Sequence, residues 1–182
     1  SIVGNDYAFA AIKTDGSVVS WGSANTGGDS SAVDLSSGVS SIVSNDSAFA
    51  AIKADGSVVT WGGDNYGGDS SSVSSDLSSG VSSIVGAKYA FAALKEDGSV
   101  VTWGFGSNSS DHSNFGGDSS SVASSLSSGV SSIVSAGEAF AALKADGSVV
   151  TWGYADYGGN SSSVASSLTS DVTSIVGNNS AF

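Results

Sequence analysis

The sequence predicts an all-β fold made of tandem, blade-like sheets, and three observations support this prediction. Tryptophan recurs at intervals of 40, 42 and 49 residues, a period typical of supersecondary units that stack on one another. Each unit contains short apolar segments joined by an Asp-Gly pair, which is a strong β-hairpin signal. No segment keeps an apolar period of 3.6 residues over three turns, so α-helices are not expected. The tryptophans are Trp21, Trp61, Trp103 and Trp152.

The repeat divides the chain into four units of 40–49 residues and the start of a fifth. The isoleucines of the "SIV" segments have the same spacing, with a fifth copy 42 residues after the fourth; they are Ile2, Ile42, Ile84, Ile133 and Ile175. We predict a single repeat array over residues 1–182, with units at about 1–40, 41–82, 83–131 and 132–173 and a partial unit at 174–182. Because both ends fall at the same phase of the repeat, we expect the chain to be part of a longer protein.

Within a unit, the elements follow in a fixed order, described here for the fourth unit. "SIV" predicts a first strand, "AFAALK" a second and "VVTWG" a third, and "ADGS" predicts the hairpin turn between the second and third strands. "SSSVASSL" follows as a weaker fourth strand. Each unit is therefore expected to be a small antiparallel sheet of three or four strands.

Both faces of the predicted second strand are apolar. Phe140 and Ala142 point one way, while Ala141 and Leu143 point the other. A sheet with two apolar faces must be covered on both. Stacking similar sheets face to face, as in a β-propeller, meets that requirement. The sequence therefore predicts β-propeller-type blades.

The composition excludes several classes of function. Seventeen acidic residues against five lysines leave a net charge of −12, so a nucleic acid is not an expected partner. The absence of cysteine excludes disulfides and thiolate metal sites. No apolar run approaches the roughly 18 residues that a transmembrane helix needs, so membrane insertion is not expected.

The segment "GVSSIVSAGEAFAALKADGSVVTWGYADYGGNSSSV" resembles the blade repeat of the regulator-of-chromosome-condensation family. The resemblance covers essentially the whole chain, and its most specific part is the D-G-x-V-x-x-W-G core. It implies a β-propeller, which in that family most often has seven blades. The chain departs from the family in having no proline and too few units for seven blades. Its Ser/Gly-rich units are similar to those of large secreted or surface proteins of aquatic bacteria or of their phages.

Differences between the units concentrate in two loops, one after the first strand and one after the third. In an antiparallel sheet of this order both loops emerge at the same edge, so we expect them to share one rim. Loops on a rigid scaffold commonly carry binding, and tyrosine beside Asp and Asn suits polar polymers such as carbohydrates. The alternative is that these rings only pack over the blade ends. The candidate rim residues are Tyr7, Tyr66, Tyr89, Phe105, His112, Phe115, Tyr154 and Tyr157.

The leading functional hypothesis is a non-enzymatic structural or interaction module, with an adhesive role, in an extracellular, cell-surface or virion-attached repeat protein. The alternative is a lectin-like, carbohydrate-binding propeller that uses the variable rim. Expected partners are glycans and further repeats of the same protein, including self-association through open blade ends. The nucleotide-exchange and chromatin functions of the resembled family are not carried over.

No catalytic or cofactor-binding residue is predicted. Asp111 and His112 lie in the seven-residue insertion of the third unit, but no second His or Cys completes a zinc site and no serine is marked as a nucleophile. Calcium is the one metal considered, with Asp64, Asp69 and Asp156 as candidate oxygen ligands. Their spacing matches neither an EF-hand nor a nonapeptide calcium repeat.

Overall fold

Four antiparallel sheets of three strands each make up the described part of the chain. The computed structural model describes residues 1–106 and 114–182. Each sheet is a meander in which consecutive strands pair. The strands are β1 (Ile2–Gly4), β2 (Ala8–Ile12), β3 (Val18–Gly22), β4 (Val39–Ser44), β5 (Ala48–Lys53), β6 (Val58–Gly62), β7 (Val81–Gly86), β8 (Ala90–Lys95), β9 (Val100–Gly104), β10 (Val130–Ala136), β11 (Ala139–Lys144) and β12 (Val149–Gly153). The predicted all-β class and blade-like units are confirmed.

The Asp-Gly pairs form the predicted hairpin turns. In the fourth unit, Gly147 has a φ of +78°, in the left-handed region that favours glycine. The side chain of Asp146 accepts hydrogen bonds from the backbone N–H and the hydroxyl of Ser148, at 2.9 and 2.6 Å. The same pair of bonds recurs in the other units, from Ser17 to Asp15, Ser57 to Asp55 and Ser99 to Asp97.

The predicted fourth strand is wrong. The serine-rich segments form short 3₁₀ turns instead, as at Ser71–Val73, Ser120–Val122 and Ser162–Ser167. Serine hydroxyls compete for backbone hydrogen bonds and favour turns over sheet ladders. One ladder-like bond remains in each unit, as from the N–H of Val149 to the carbonyl of Leu168 at 2.9 Å. The other 3₁₀ turns follow the third strands, at Ala24–Thr26, Asp64–Tyr66 and Ala155–Tyr157.

Neighbouring sheets pack face to face through small residues on one side and large rings on the other. Ala48 and Ala50 of β5 lie against Phe91 and Trp103 of the third sheet. Alanine leaves room for the stacked rings, whose centroids lie 5.4 Å apart. The Phe–Trp pairs of the second and fourth sheets pack in the same way on the sheet that precedes each. The apolar character of both strand faces is thus explained by stacking.

The first strands of successive sheets lie next to one another. The hydroxyl of Ser44 donates to the carbonyl of Gly4 at 2.9 Å, and that of Ser135 donates to Gly86 at 2.9 Å. Residues 174–182 continue this row, although they are not paired as a strand. None of the helices in the described ranges is long or apolar enough to cross a membrane.

Candidate functional site

The two variable loops of each unit lie at the same edge of their sheet, as the hairpin order predicts. The loop after β7 carries Tyr89, and its ring contacts Phe105 and Phe115 from the loop after β9. The backbone N–H of Phe105 also donates to the carbonyl of Tyr89 at 2.9 Å. Antiparallel pairing of β7, β8 and β9 therefore places both loops on one rim.

Six of the predicted rim residues contact one another in a continuous row, which we call the aromatic ridge. Tyr66 meets Tyr89 with ring centroids 5.3 Å apart, and Tyr89 meets Phe115 at 5.5 Å. Phe115 then stacks on Tyr154 at 5.7 Å. The row therefore crosses from the second unit to the fourth. The members of the aromatic ridge are Tyr66, Tyr89, Phe105, Phe115, Tyr154 and Tyr157.

Every ring of the aromatic ridge is half-buried. Each ring contact contributes about 0.5–1.5 kcal/mol beyond its buried area, so the rings stabilise the rim as well as present a surface. Tyr7 is different, because it is 65% exposed and belongs to no ring contact in the described residues. The predicted rim residue His112 lies outside the described residues, together with Asp111.

A charged pair lies beside the aromatic ridge. The ammonium of Lys88 is 3.2 Å from the carboxylate of Glu138, which is buried, and it lies 4.8 Å from the ring centroid of Tyr89. Tyr89 and then Glu138 favour the charged ammonium, which raises the pKa of Lys88 above its ordinary value. This pair links the third and fourth units across their junction.

A polar cavity of about 720 Å³ lies among the loops that follow the first strands. Asp6, Asp46, Lys88 and Asn179 line it, each from a different unit. Partial burial, and then the like charge of Asp6, raise the pKa of Asp46 above its ordinary value. This convergence is not predicted from the sequence, although the position two residues before the first alanine of the second strand carries a charge in the first three units.

The candidate calcium ligands do not converge in the described structure. Asp69 is exposed and accepts a hydrogen bond from the backbone N–H of Ser71 at 2.8 Å, which lowers the pKa of its carboxyl. Asp64 and Asp156 lie in exposed 3₁₀ turns of different units. Within residues 1–106 and 114–182, no group of three or more His, Asp or Glu side chains is arranged to hold a metal. Calcium binding stays a prediction.

The site supplies apolar ring surface and a few fixed charges. Its described residues include amides and carboxylates that hydrogen-bond within the loops, such as Asn45, whose side chain donates to the carbonyl of Tyr66 at 2.6 Å. This arrangement can stack against flat or extended groups and accept hydrogen bonds from them. These rings, amides and carboxylates are groups suited to binding a ligand.

Solved structures match the chain by fold, whereas no protein-family model and no curated protein sequence matches it. Human WBSCR16 is similar with a TM-score of 0.56 and 18% identity, over 98% of this chain and 55% of its own length. Yeast RCC1 (Prp20), solved bound to Kap60, has a TM-score of 0.55 and 18% identity, over 84% of this chain and 43% of its own.

A third match is the CRINKLY WD40 ectodomain of the Arabidopsis thaliana receptor kinase ACR4, with a TM-score of 0.51 and 18% identity, over 84% of this chain and 51% of its own. The chain spans about half the length of these structures. It has an RCC1-like β-propeller repeat fold, so the resemblance seen in the sequence is confirmed at the level of the fold.

Proposed function

We propose that this chain is a non-enzymatic interaction module of an extracellular, cell-surface or virion-attached repeat protein, with an adhesive role. The observation that carries the proposal is the aromatic ridge. Its rings come from the variable loops, whereas the strands beneath them repeat nearly the same residues. Variable aromatic loops on a repeated, rigid scaffold are typical of a binding surface.

Structures of similar fold support this proposal in two respects. Yeast RCC1 (Prp20) was solved bound to a protein, Kap60. The ACR4 propeller is the ectodomain of a receptor kinase. An RCC1-like propeller is therefore compatible both with protein binding and with an extracellular position. The net charge of −12 favours solubility and disfavours polyanionic partners.

The alternative function is a lectin-like propeller. It is favoured by half-exposed tyrosine rings that have polar neighbours, as at Tyr154 and Tyr157 beside Asp156. A tyrosine ring offers apolar area to a sugar face, while carboxylates and amides bind its hydroxyls. In both functions the aromatic ridge is the binding surface, and further repeats of the same kind are the partners at the blade faces.

The experiment that tests the rim is a comparison of glycan and peptide arrays probed with the same labelled chain. A double variant, Tyr66→Ala with Tyr154→Ala, removes two rings of the aromatic ridge. Tyr7→Ala is the matched control, because Tyr7 is an exposed rim tyrosine outside the ridge. Circular dichroism confirms that both variants keep the native sheet content.

We expect reproducible binding that the double variant loses and Tyr7→Ala retains. Binding confined to the glycan array would favour the lectin, and binding confined to the peptide array would favour protein interaction. If neither array binds the chain, or if the double variant binds as well as the parent, the aromatic ridge is not a binding surface. A hydrolase centred on Asp111 and His112 would instead show activity that His112→Ala removes, and we expect none.

A further inference from the structure

The rings of the aromatic ridge have a nearly regular spacing. The centroid of Phe105 lies 6.2 Å from that of Tyr66 and 5.1 Å from that of Phe115. The next two steps along the row, from Phe115 to Tyr154 and from Tyr154 to Tyr157, are 5.7 Å each. These residues belong to the second, third and fourth units, so the row depends on neither end of the chain. It presents a half-buried ring every 5.1–6.2 Å.

Neighbouring rings cover part of one another's faces. The planes of Tyr66 and Phe105 are 19° apart, and those of Phe115 and Tyr154 are 13° apart, so both pairs are stacked. The rings of Tyr89 and Phe115 meet edge to face, at 88°. A sugar ring stacks on an open aromatic face, whereas a narrow apolar group can pack between the edges of adjacent rings. The aromatic ridge therefore favours a slender apolar ligand over a flat sugar.

The backbone around the aromatic ridge is not free to pair with an added strand. The N–H groups of Tyr66, Phe105 and Tyr154 each donate to a carbonyl within the loops of the rim, at 2.9 Å. A peptide that binds as a β-strand depends on such main-chain bonds. A polyproline II helix does not, because its backbone is solvated and has no internal hydrogen bonds. Two of its residues advance by about 6.2 Å, which is close to the spacing of the rings.

The tyrosine hydroxyls of the aromatic ridge are available as donors. In the described parts of the chain, the hydroxyls of Tyr66, Tyr154 and Tyr157 take part in no hydrogen bond. A phenolic O–H can donate one bond. The carbonyls of a polyproline II helix have no partner in their own chain, so they can accept from these hydroxyls. The ring spacing and the donors thus match the same kind of ligand.

Negative charge lies at both ends of the aromatic ridge. Asp64 and Asp156 belong to the 3₁₀ turns that carry Tyr66 and Tyr157, and both carboxylates are exposed. Among the described residues, neither of them forms an ion pair. Lys88, which lies beside the ridge, already has a carboxylate partner. A basic residue in the ligand therefore finds an unneutralised carboxylate at either end of the row.

We propose that the aromatic ridge binds a proline-rich segment of a partner protein, held as a polyproline II helix with a basic residue at one end. Proline rings pack between the ring edges, tyrosine hydroxyls donate to the carbonyls of the segment, and the basic residue pairs with Asp64 or Asp156. Proline restricts the free segment to nearly the bound conformation, so little conformational entropy is lost on binding. The proposal rests on the proposed role as an interaction module and names the chemistry of the partner.

The test is isothermal titration calorimetry of the full chain with two synthetic peptides. One is a proline-rich peptide of about nine residues, about 28 Å long as a polyproline II helix, with an arginine at each end. The other has the same charge and carries alanine in place of each proline. A double variant, Tyr66→Phe with Tyr154→Phe, keeps both rings and removes two hydroxyl donors. Tyr7→Phe is the matched control, because Tyr7 is exposed and lies outside the ridge.

A second pair of variants tests the charges. Asp64→Asn with Asp156→Asn removes the two carboxylates at the ends of the ridge. Asp76→Asn with Glu96→Gln is the matched control, because it removes the same charge at exposed positions near the hairpin turns, on the opposite edge of the sheets. Circular dichroism verifies that every variant is folded.

We expect the proline peptide to bind at least about tenfold more tightly than the alanine peptide. Loss of the two hydroxyls should weaken its binding at least about fivefold, and loss of the two carboxylates about two- to fivefold. Both controls should bind like the parent. Equal binding of the two peptides overturns the proposal, and so does binding of the proline peptide that is unchanged when the two hydroxyls are removed.

The glycan and peptide arrays separate this partner from other ligands of the aromatic ridge. If an array detects a ligand that requires Tyr66 and Tyr154, but the proline peptide does not bind, the ridge is a binding surface and the proline-rich partner is wrong. A glycan is then the ligand class if binding is confined to the glycan array. If no array ligand and no proline peptide binds, the proposed function fails together with this partner.

Discussion

At the residue scale, the aspartates of the hairpin turns act as hydrogen-bond acceptors. Their carboxylates accept bonds from the serine two residues later, which holds the pKa of each below its ordinary value of 3.8. A carboxyl whose pKa is lowered by folding stabilises the folded state at pH values above its unfolded pKa. That stabilisation is lost as the pH falls through the folded pKa.

The first prediction concerns the stability of the fold at low pH. The urea midpoint of unfolding should fall between about pH 5 and about pH 3. A variant with Asn in place of the four turn aspartates should show a smaller fall, since Asn keeps the acceptor oxygen without the charge. Tryptophan fluorescence during urea unfolding at the two pH values measures the midpoints of the parent and of the variant. An equally steep fall in the variant would contradict a role for these carboxylates. The four positions are Asp15, Asp55, Asp97 and Asp146.

The second prediction concerns Asn45, which is 7% exposed. Its side chain donates to the carbonyl of Tyr66 and accepts from the backbone N–H groups of Ser47 and Ala48. Asn45→Ala should lower the free energy of unfolding by about 1–3 kcal/mol, because it leaves buried backbone groups unpaired. Asn160→Ala, at an exposed position, is the control and should change it by less than about 0.5 kcal/mol. Equal effects in urea unfolding would contradict the assigned hydrogen bonds.

At the scale of the elements, equivalent tryptophans differ in burial. Trp103 is 3% exposed and hydrogen-bonded to Gly67, whereas Trp21 is 44% exposed. Trp103→Ala should therefore cost about 3–5 kcal/mol of unfolding free energy. Trp21→Ala should cost much less, because its indole is already largely exposed. Thermal unfolding followed by circular dichroism compares the two variants, and equal losses would contradict the difference in burial of the two indoles.

The strands and turns could be predicted from the sequence because their signals are local. "DGS" specifies a hairpin by φ at its glycine and by the aspartate bond to serine, and the alternating Phe and Ala positions of β11 indicate two buried faces. The serine-rich fourth segment could not be predicted correctly. Its valine and leucine suggested a strand, whereas the serines on either side favour 3₁₀ turns.

The candidate site was predictable in position and less so in detail. Hairpin order alone places the loops that carry Tyr89 and Phe105 on one rim. The ring contacts of the aromatic ridge depend on how far each blade is rotated from the last, and no local pattern reports that rotation. No local pattern predicts the contact between Lys88 and Glu138 either, because the two residues lie 50 positions apart in sequence.

At the scale of the whole molecule, stability should vary along the array. A sheet that is covered on both faces loses more stabilising contacts when it opens than a sheet covered on one face. In repeat proteins, stability depends mainly on contacts between neighbouring repeats. We expect amide hydrogen exchange to be slowest in β5 and β8, and fastest in β1–β3 and residues 174–182. Hydrogen exchange of a dilute sample, followed by mass spectrometry, measures this gradient. Uniform protection would mean that the array opens as one unit.

The indole N–H of each buried tryptophan donates to a glycine carbonyl of the preceding unit, and this bond has a consequence for how such a chain can change over generations. The loop between β9 and Gly116 is seven residues longer than its counterpart between β12 and Gly158, yet Gly116 still accepts the indole of Trp152. Each of the four units carries both the Phe–Trp pair and a glycine at the accepting position, so an in-frame duplication or deletion of one unit leaves matching surfaces at the new boundary. The length of the array and the content of its loops can therefore be inherited as independent traits.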